Sequence, residues 1–229
     1  MTANAEPKGP QANESGSTLK GISNFLSGII LGLTIKVAFE GTFKDLGQYN
    51  EWIEAVTIGV WGDLQRKLLV LFQFLVFLFT LLRFYWGAYR YNNEAPESQT
   101  RQELTINVVG AFLLFGGFYI TAMTIQTTKL FYFLIAVFHL LDFFWFLLSN
   151  AYMKKLDEGI RKVISCWQIY DLITVSLFVG FAFWDYFLPS NYYLPQWLFL
   201  VGLFLVGVRD MHKFWPFYMA LPVWRTQLK

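Results

Sequence analysis

The stretch Leu130–Leu148 reads LFYFLIAVFHLLDFFWFLL, and the fold follows from how it is read. It contains no Gly and no Pro, and the groups in it that change charge near neutral pH are His139 and Asp142. About 20 apolar residues at 1.5 Å each cross a hydrocarbon core, so this stretch has the length and character of a transmembrane helix. An ionisable side chain at that depth is expensive and calls for a partner or a purpose.

Similar runs lie on both sides of it. Upstream, Leu104–Ile125 is apolar and is softened by Gly110, Gly116 and Gly117; adjacent glycines leave room for a neighbour's ring or for a bend. The Gln126–Lys129 connection is so short that these two spans must form an antiparallel hairpin. Leu68–Tyr89 is a further span, with Gln73, Thr80, Arg83 and Arg90 near one face by helical spacing. Downstream, the charged Ala151–Lys162 segment precedes a span over Val163–Leu188, where Gln168, Asp171 and Thr174 share a face. Pro189 and Pro195 bracket a turn, and a last span runs over Pro195–Val208 before Arg209-Asp210-Met211-His212-Lys213. Gly21–Phe39 is the weakest candidate because it carries Ser23, Asn24, Ser27, Thr34 and Lys36. In it, Gly28 and Gly32 form a small-xxx-small pair that allows close helix packing, and Lys36 lies one turn from Glu40.

The whole composition agrees. The chain is 55% hydrophobic, 20% aromatic and 15% charged, with a mean hydropathy of +0.41, too much apolar surface for one soluble core of 229 residues. The reading is an all-α, polytopic α-helical membrane protein, a six-helix bundle of three antiparallel hairpins over residues 21–214. Its spans are about 21–39, 68–89, 104–125, 130–148, 163–188 and 195–208. Residues 1–20 read as a disordered cytoplasmic tail, since Met1–Thr18 has almost nothing to bury, and 215–229 as a cytoplasmic tail broken by Pro216 and Pro222. A five-span alternative drops the first helix. Between the first two spans, Asn50 as N-cap followed by Trp52, Val56, Val60 and Leu64 predicts a short amphipathic helix on the membrane surface, or else a loop covering the bundle. No cleavable signal peptide is evident.

Orientation rests on two signals. With the N-terminus inside, the cytoplasmic segments hold Lys154, Lys155, Arg161, Lys162, Arg209 and Lys213 among others. The outer segments hold only Lys44, Arg66, Lys67 and Lys129, so both termini are read as cytoplasmic. Tryptophans favour headgroup depth, and Trp86, Trp145, Trp167 and Trp215 then fall at the inner boundary while Trp52, Trp61, Trp184 and Trp197 fall at the outer one. The protein is expected in the plasma membrane or a bacterial inner membrane.

Function is less legible. Leu81–Trp86 and Leu140–Trp145 share a pattern that places Arg83 and Asp142 at equivalent positions. In a chain so rich in Leu and Phe the match reads as coincidence, but it puts the two charges at similar depth. The awkward polar groups gather in the inner half: Gln73, Thr80, Arg83, His139, Asp142, Gln168, Asp171 and, at the inner end of the last span, Arg209 and Asp210. Asp142 is one turn from His139 and is placed to orient or charge the imidazole. One outcome is an Arg83–Asp142 ion pair that locks two helices. The other is a vestibule in which His139 and Asp142 pass protons or hold a cation.

Ion transport, for a proton or cation and through an oligomer, is therefore the first reading. The alternative is a non-catalytic anchor or scaffold subunit that binds a protein partner at the cytoplasmic face through Tyr91–Glu103, Ala151–Lys162 and Trp215–Lys229, the aromatic Trp215–Trp224 segment being too long for a simple stop. A membrane-embedded enzyme acting on lipid is a third option. Beyond the lipid bilayer, the expected partners are a second copy or another protein. A net charge of +2 gives no reason to expect nucleic acid. The sequence holds no zinc spacing, nucleotide fingerprint or hydrolase motif. His139 and His212 lie at different depths, which argues against a haem, so no metal or cofactor is expected. Cys166, alone, reads as a packing residue.

Overall fold

The computed structural model describes residues 11–46, 61–94, 101–125, 128–152, 158–187 and 194–219. Among these, every residue is helical except for turns at Thr124, Ile125, Phe214 and Met219. The helices are α1 (Gln11–Leu46), α2 (Trp61–Glu94), α3 (Arg101–Met123), α4 (Thr128–Tyr152), α5 (Glu158–Phe187), α6 (Leu194–Lys213) and the single turn α7 (Trp215–Tyr218). Five are long and apolar enough to cross a membrane, over Gly21–Lys44, Leu64–Asn93, Lys129–Leu148, Glu158–Trp184 and Leu194–Lys213. The apolar part of α3, Asn107–Met123, is shorter. By the length and composition of its helices, this is a multi-pass integral membrane protein.

Local chemistry explains these elements. A backbone in hydrocarbon must satisfy its own N–H and C=O groups, and a helix does so within one segment. The hydroxyls follow the same rule: Thr34, Thr80, Thr121 and Ser176 donate to the carbonyls of Ile30, Val76, Gly117 and Leu172, each four residues back. Pro195 stands near the start of α6, where a missing N–H costs no helical bond. Phe214 interrupts the next stretch at φ −109°, ψ 18°, and Pro216 sits in the first turn of α7. The two pieces stay joined by backbone bonds from Phe214 N to Asp210 O (2.9 Å) and from Tyr218 N to Phe214 O (3.0 Å).

Sequence neighbours pack as pairs: α1 with α2, α3 with α4, and α5 with α6. Between pairs, α1 lies against α3, α4 against α5 and α6 against α2, while α2 and α3 meet mainly through rings, Phe77 and Phe84 on Phe118 and Tyr85 on Phe115. The outer faces are rows of large apolar side chains, such as Leu68, Leu75 and Leu82 on α2 or Phe112, Leu113 and Ile120 on α3. A water-soluble protein would not tolerate such continuous exposure. Inside, one aromatic cluster is built around Phe77, Phe118, Phe131, Tyr132, Phe181 and Phe199. A second is built around Tyr91, Phe146, Ile164, Trp167, Phe214 and Phe217. The buried charged residues Arg83, His139, Asp142, Asp171 and Asp210 fall near the junction of the two clusters.

Several expectations are corrected here. The tail read as disordered over 1–20 is helical from Gln11 onward. The first helix, read as the weakest span, carries an apolar segment long enough to cross a membrane, Gly21–Lys44. The cytoplasmic tail read from 215 begins instead with α7, whose Phe217 and Tyr218 are buried, as is Phe214 before it. Of the packing glycines, a Cβ at Gly28 would meet the Tyr85 hydroxyl at 3.8 Å, but one at Gly32 or Gly116 would meet nothing within 4 Å. Gly117 does hold a close approach, since a Cβ there would overlap the Phe138 ring. Gly110 and Gly207 do the same, with Trp145 and Phe79 at 2.5 and 2.6 Å. Lys36 and Glu40 form their one-turn pair at 3.8 Å, fully on the surface. Of the amphipathic helix expected from Asn50 to Leu64, residues 50–60 lie outside the described residues, and Leu64 belongs to α2.

Candidate functional site

The charged layer is built by four long helices and by α7. On the α2–α6 side, Arg83 Nη1 donates to Asp210 Oδ2 at 3.0 Å, with both side chains buried. The Tyr218 hydroxyl donates to the same oxygen at 2.6 Å, and Trp167 Nε1 donates to that hydroxyl at 3.1 Å. Burial, and then the neighbouring Asp210 carboxylate, push the Tyr218 phenol well above its usual range, so it keeps its proton and remains a donor. Arg90 Nε donates to the Phe217 carbonyl at 2.8 Å, which holds α7 against α2. Four elements are thus tied to one carboxylate oxygen and to the turn behind it. The second oxygen, Asp210 Oδ1, is buried and has no hydrogen-bond partner.

On the α4–α5 side, His139 Nδ1 lies 2.8 Å from Asp171 Oδ1. A carboxylate there accepts the Nδ1 proton and fixes the tautomer, which leaves Nε2 as the nitrogen that takes or gives a proton. His139 Nε2 and Asp171 Oδ2 are both buried and unbonded, as are Thr174 Oγ1 and Gln168 Nε2 nearby on α5. The Phe84 ring stands edge-on to the imidazole, centroids 5.3 Å apart, and Arg83 lies over that same ring at 4.8 Å.

Asp142 does not form the ion pair expected of it. Arg83 turns to Asp210 because α2 packs directly against α6. Among the described residues Asp142 makes no hydrogen bond or ion pair, although it is only 6% exposed. Nor does it orient His139, which Asp171 does from the next helix. Arg83 and Asp142 do line one cavity of about 260 Å³, together with Asn107, Trp145, Trp167 and Tyr218. Arg209 is exposed and belongs to no part of this layer.

The residues that sequence reading missed are Tyr218 and Trp167; Asp210 is placed with Arg209 at the inner end of the last span but given no partner, because ending that span at Val208 leaves it at the aqueous boundary. The buried positions Phe199, Leu203, Gly207, Asp210 and Phe214 recur every three or four residues, and that period includes Asp210 and passes over Arg209. Trp167, taken as a headgroup anchor, is buried instead.

Outside the charged layer, Gln73 Nε2 donates to the Ile125 carbonyl at 2.8 Å, just beyond the C-terminus of α3, and Gln73 Oε1 accepts from the Tyr132 hydroxyl at 3.3 Å. It satisfies a carbonyl that a helix end leaves open. Among the described residues, no three His, Cys, Asp or Glu side chains are grouped to hold a metal ion. Cys166 Sγ accepts from Lys213 Nζ at 3.2 Å. No family model, curated protein or solved structure matches the chain.

Proposed function

We propose that the chain crosses a plasma membrane or bacterial inner membrane six times, with both termini cytoplasmic, and that its buried charged layer carries a proton or small cation. The sixth crossing is α3. Its 23 residues extend about 35 Å at 1.5 Å per residue, and the sequence continues its apolar segment through Leu104 and Ile106. The excess of Lys and Arg in the segments assigned to the inside supports the orientation.

The observation that carries the functional reading is a charge imbalance. Asp142, Asp171 and Asp210 are all buried within one layer, against one guanidinium, Arg83, and one imidazole, His139. Even with His139 protonated, the three carboxylates outnumber the cations by one. An uncompensated charge in a low-dielectric interior costs several kcal/mol. The layer therefore calls for one further positive charge, and a proton or a small cation supplies it. Asp142 and the His139–Asp171 pair are where it would reside, because the Asp210 oxygen facing Arg83 is already bonded twice. Three buried acceptors without donors, His139 Nε2, Asp171 Oδ2 and Asp210 Oδ1, mark the places it can visit.

The alternative, a scaffold subunit binding a protein partner through Tyr91–Glu103, Ala151–Lys162 and Trp215–Lys229, loses two aromatic contacts, since Phe217 and Tyr218 are turned into the interior, but keeps the exposed Trp215.

The test is flux. Purified protein in liposomes should dissipate a pH gradient or an imposed cation gradient, and Asp142→Asn and His139→Gln should each lower the rate at least roughly tenfold. Silence of the wild-type protein under both gradients ends this reading.

A further inference from the structure

The cavity that holds Asp142 is not walled off from the bilayer. Leu113 on α3 and Leu141, Phe144 and Leu148 on α4 all line it, yet each is more than half exposed on the outer surface of the helices. The cavity therefore opens sideways, through the α3–α4 seam, to acyl chains rather than to water. Its deeper wall is different. Two acceptors sit there without donors: the Asp142 carboxylate, and Asn107 Oδ1, which is buried and unbonded. Both belong to residues 6% exposed. The one cation on the wall, Arg83, is already engaged by Asp210 at 3.0 Å. Aromatic rings complete the enclosure, and Trp145 lies across the seam because Gly110 leaves space for its indole.

The geometry points to an intramembrane binding site for a cationic amphiphile, a long-chain amine whose ammonium group bonds to Asp142 and Asn107 and whose hydrocarbon tail leaves between α3 and α4. An ammonium supplies the donors that both acceptors lack, and aromatic faces favour a cation. An anionic head would meet a carboxylate and a carbonyl oxygen, and a neutral one would leave the carboxylate uncompensated. At about 260 Å³ the cavity sits below the usual range for enclosed small-molecule sites, so it fits the head and the first part of a chain while the rest lies in lipid. The assignment rests on the same excess of carboxylates as the ion-transport reading, and goes beyond it by naming an organic cation and a lateral entrance.

The full chain in phosphatidylcholine nanodiscs is titrated with radiolabelled dodecylamine, counted above partition into empty nanodiscs. One saturable site is expected. Dodecanol and dodecyl sulfate should not displace the amine at matched membrane concentrations. Asp142→Asn should weaken binding at least roughly tenfold, and Asn107→Ala several-fold. Absence of saturable binding, equal displacement by the neutral or anionic chain, or unchanged affinity in a folded Asp142→Asn protein would each overturn the assignment. Displacement in the wild-type protein decides the matter even where a variant does not fold. Proton flux in amine-free liposomes is a separate reading: flux without amine binding removes this site alone, and amine binding without flux removes the transport reading alone.

Discussion

The two sides of the buried charged layer contain similar residues and are treated in opposite ways. Between α2 and α6, a guanidinium, a phenol and an indole converge on Asp210, directly or in series. Between α4 and α5, a single bond joins His139 to Asp171, and Asp142 stands apart from both. Removing one partner of a buried, bonded charge leaves its counterpart stranded, whereas an unbonded charge strands nothing when it is neutralised. The first side accordingly holds helices together. The second leaves more of its capacity unbonded, His139 Nε2 and Asp171 Oδ2 against Asp210 Oδ1 alone on the first.

The largest effect should come from Arg83→Ala. It leaves Asp210 buried without its cation and should lower stability by about 3–5 kcal/mol, measured by denaturant titration in lipid nanodiscs. In the same assay Asp142→Asn should shift stability by less than about 1 kcal/mol. If the two variants unfold alike, the contrast between the sides is lost.

Tyr218→Phe sharpens the same contrast. It removes one donor from Asp210 and the acceptor of the Trp167 indole, and about 2 kcal/mol should be lost. In the Trp167→Phe background only the part due to the lost Asp210 donor should remain, so the penalty should shrink, and a fully additive double variant would mean the two groups do not communicate through the hydroxyl.

The glycines of α3 give a smaller pair. Gly117→Ala drives a methyl into the Phe138 ring and should cost about 1–3 kcal/mol. Gly116→Ala meets open space and should be neutral or stabilising by up to about 1 kcal/mol through helix propensity. Parallel melting curves of the two variants check this; a similar loss in both would indicate that α3 tolerates no added bulk anywhere.

What the sequence discloses about this protein follows from the range of the interaction involved. Apolar length and the 3.6-residue period are local, so the helices are legible, and so is the inward face of α2 that carries Gln73, Thr80 and Arg83. Partner choice is not local. Arg83 and Asp142 are well matched in depth, but which carboxylate the guanidinium meets depends on which helix packs beside α2. Nothing in either segment encodes that α6 does. Asp210 was within reach, because the buried period on α6 runs through it, but the adjacent Arg, His and Lys made the segment resemble a solvated end. The fold-back of α7 is harder still to read. Pro216 looks like a terminator, and only the burial of Phe217 and Tyr218 shows that the chain resumes as a packed turn.

The separation of Arg83 and Asp210 along the chain has a consequence for how the protein is made. They lie 127 residues apart, and at the usual 5–20 residues per second a ribosome needs roughly ten seconds to cover that distance. Throughout that interval α2 has been synthesised while its counter-ion does not yet exist. The guanidinium must wait among headgroups, at the translocon or on a temporary acidic neighbour such as Asp142. Final seating of the second helix is thus a late event in biogenesis, timed by the arrival of the sixth.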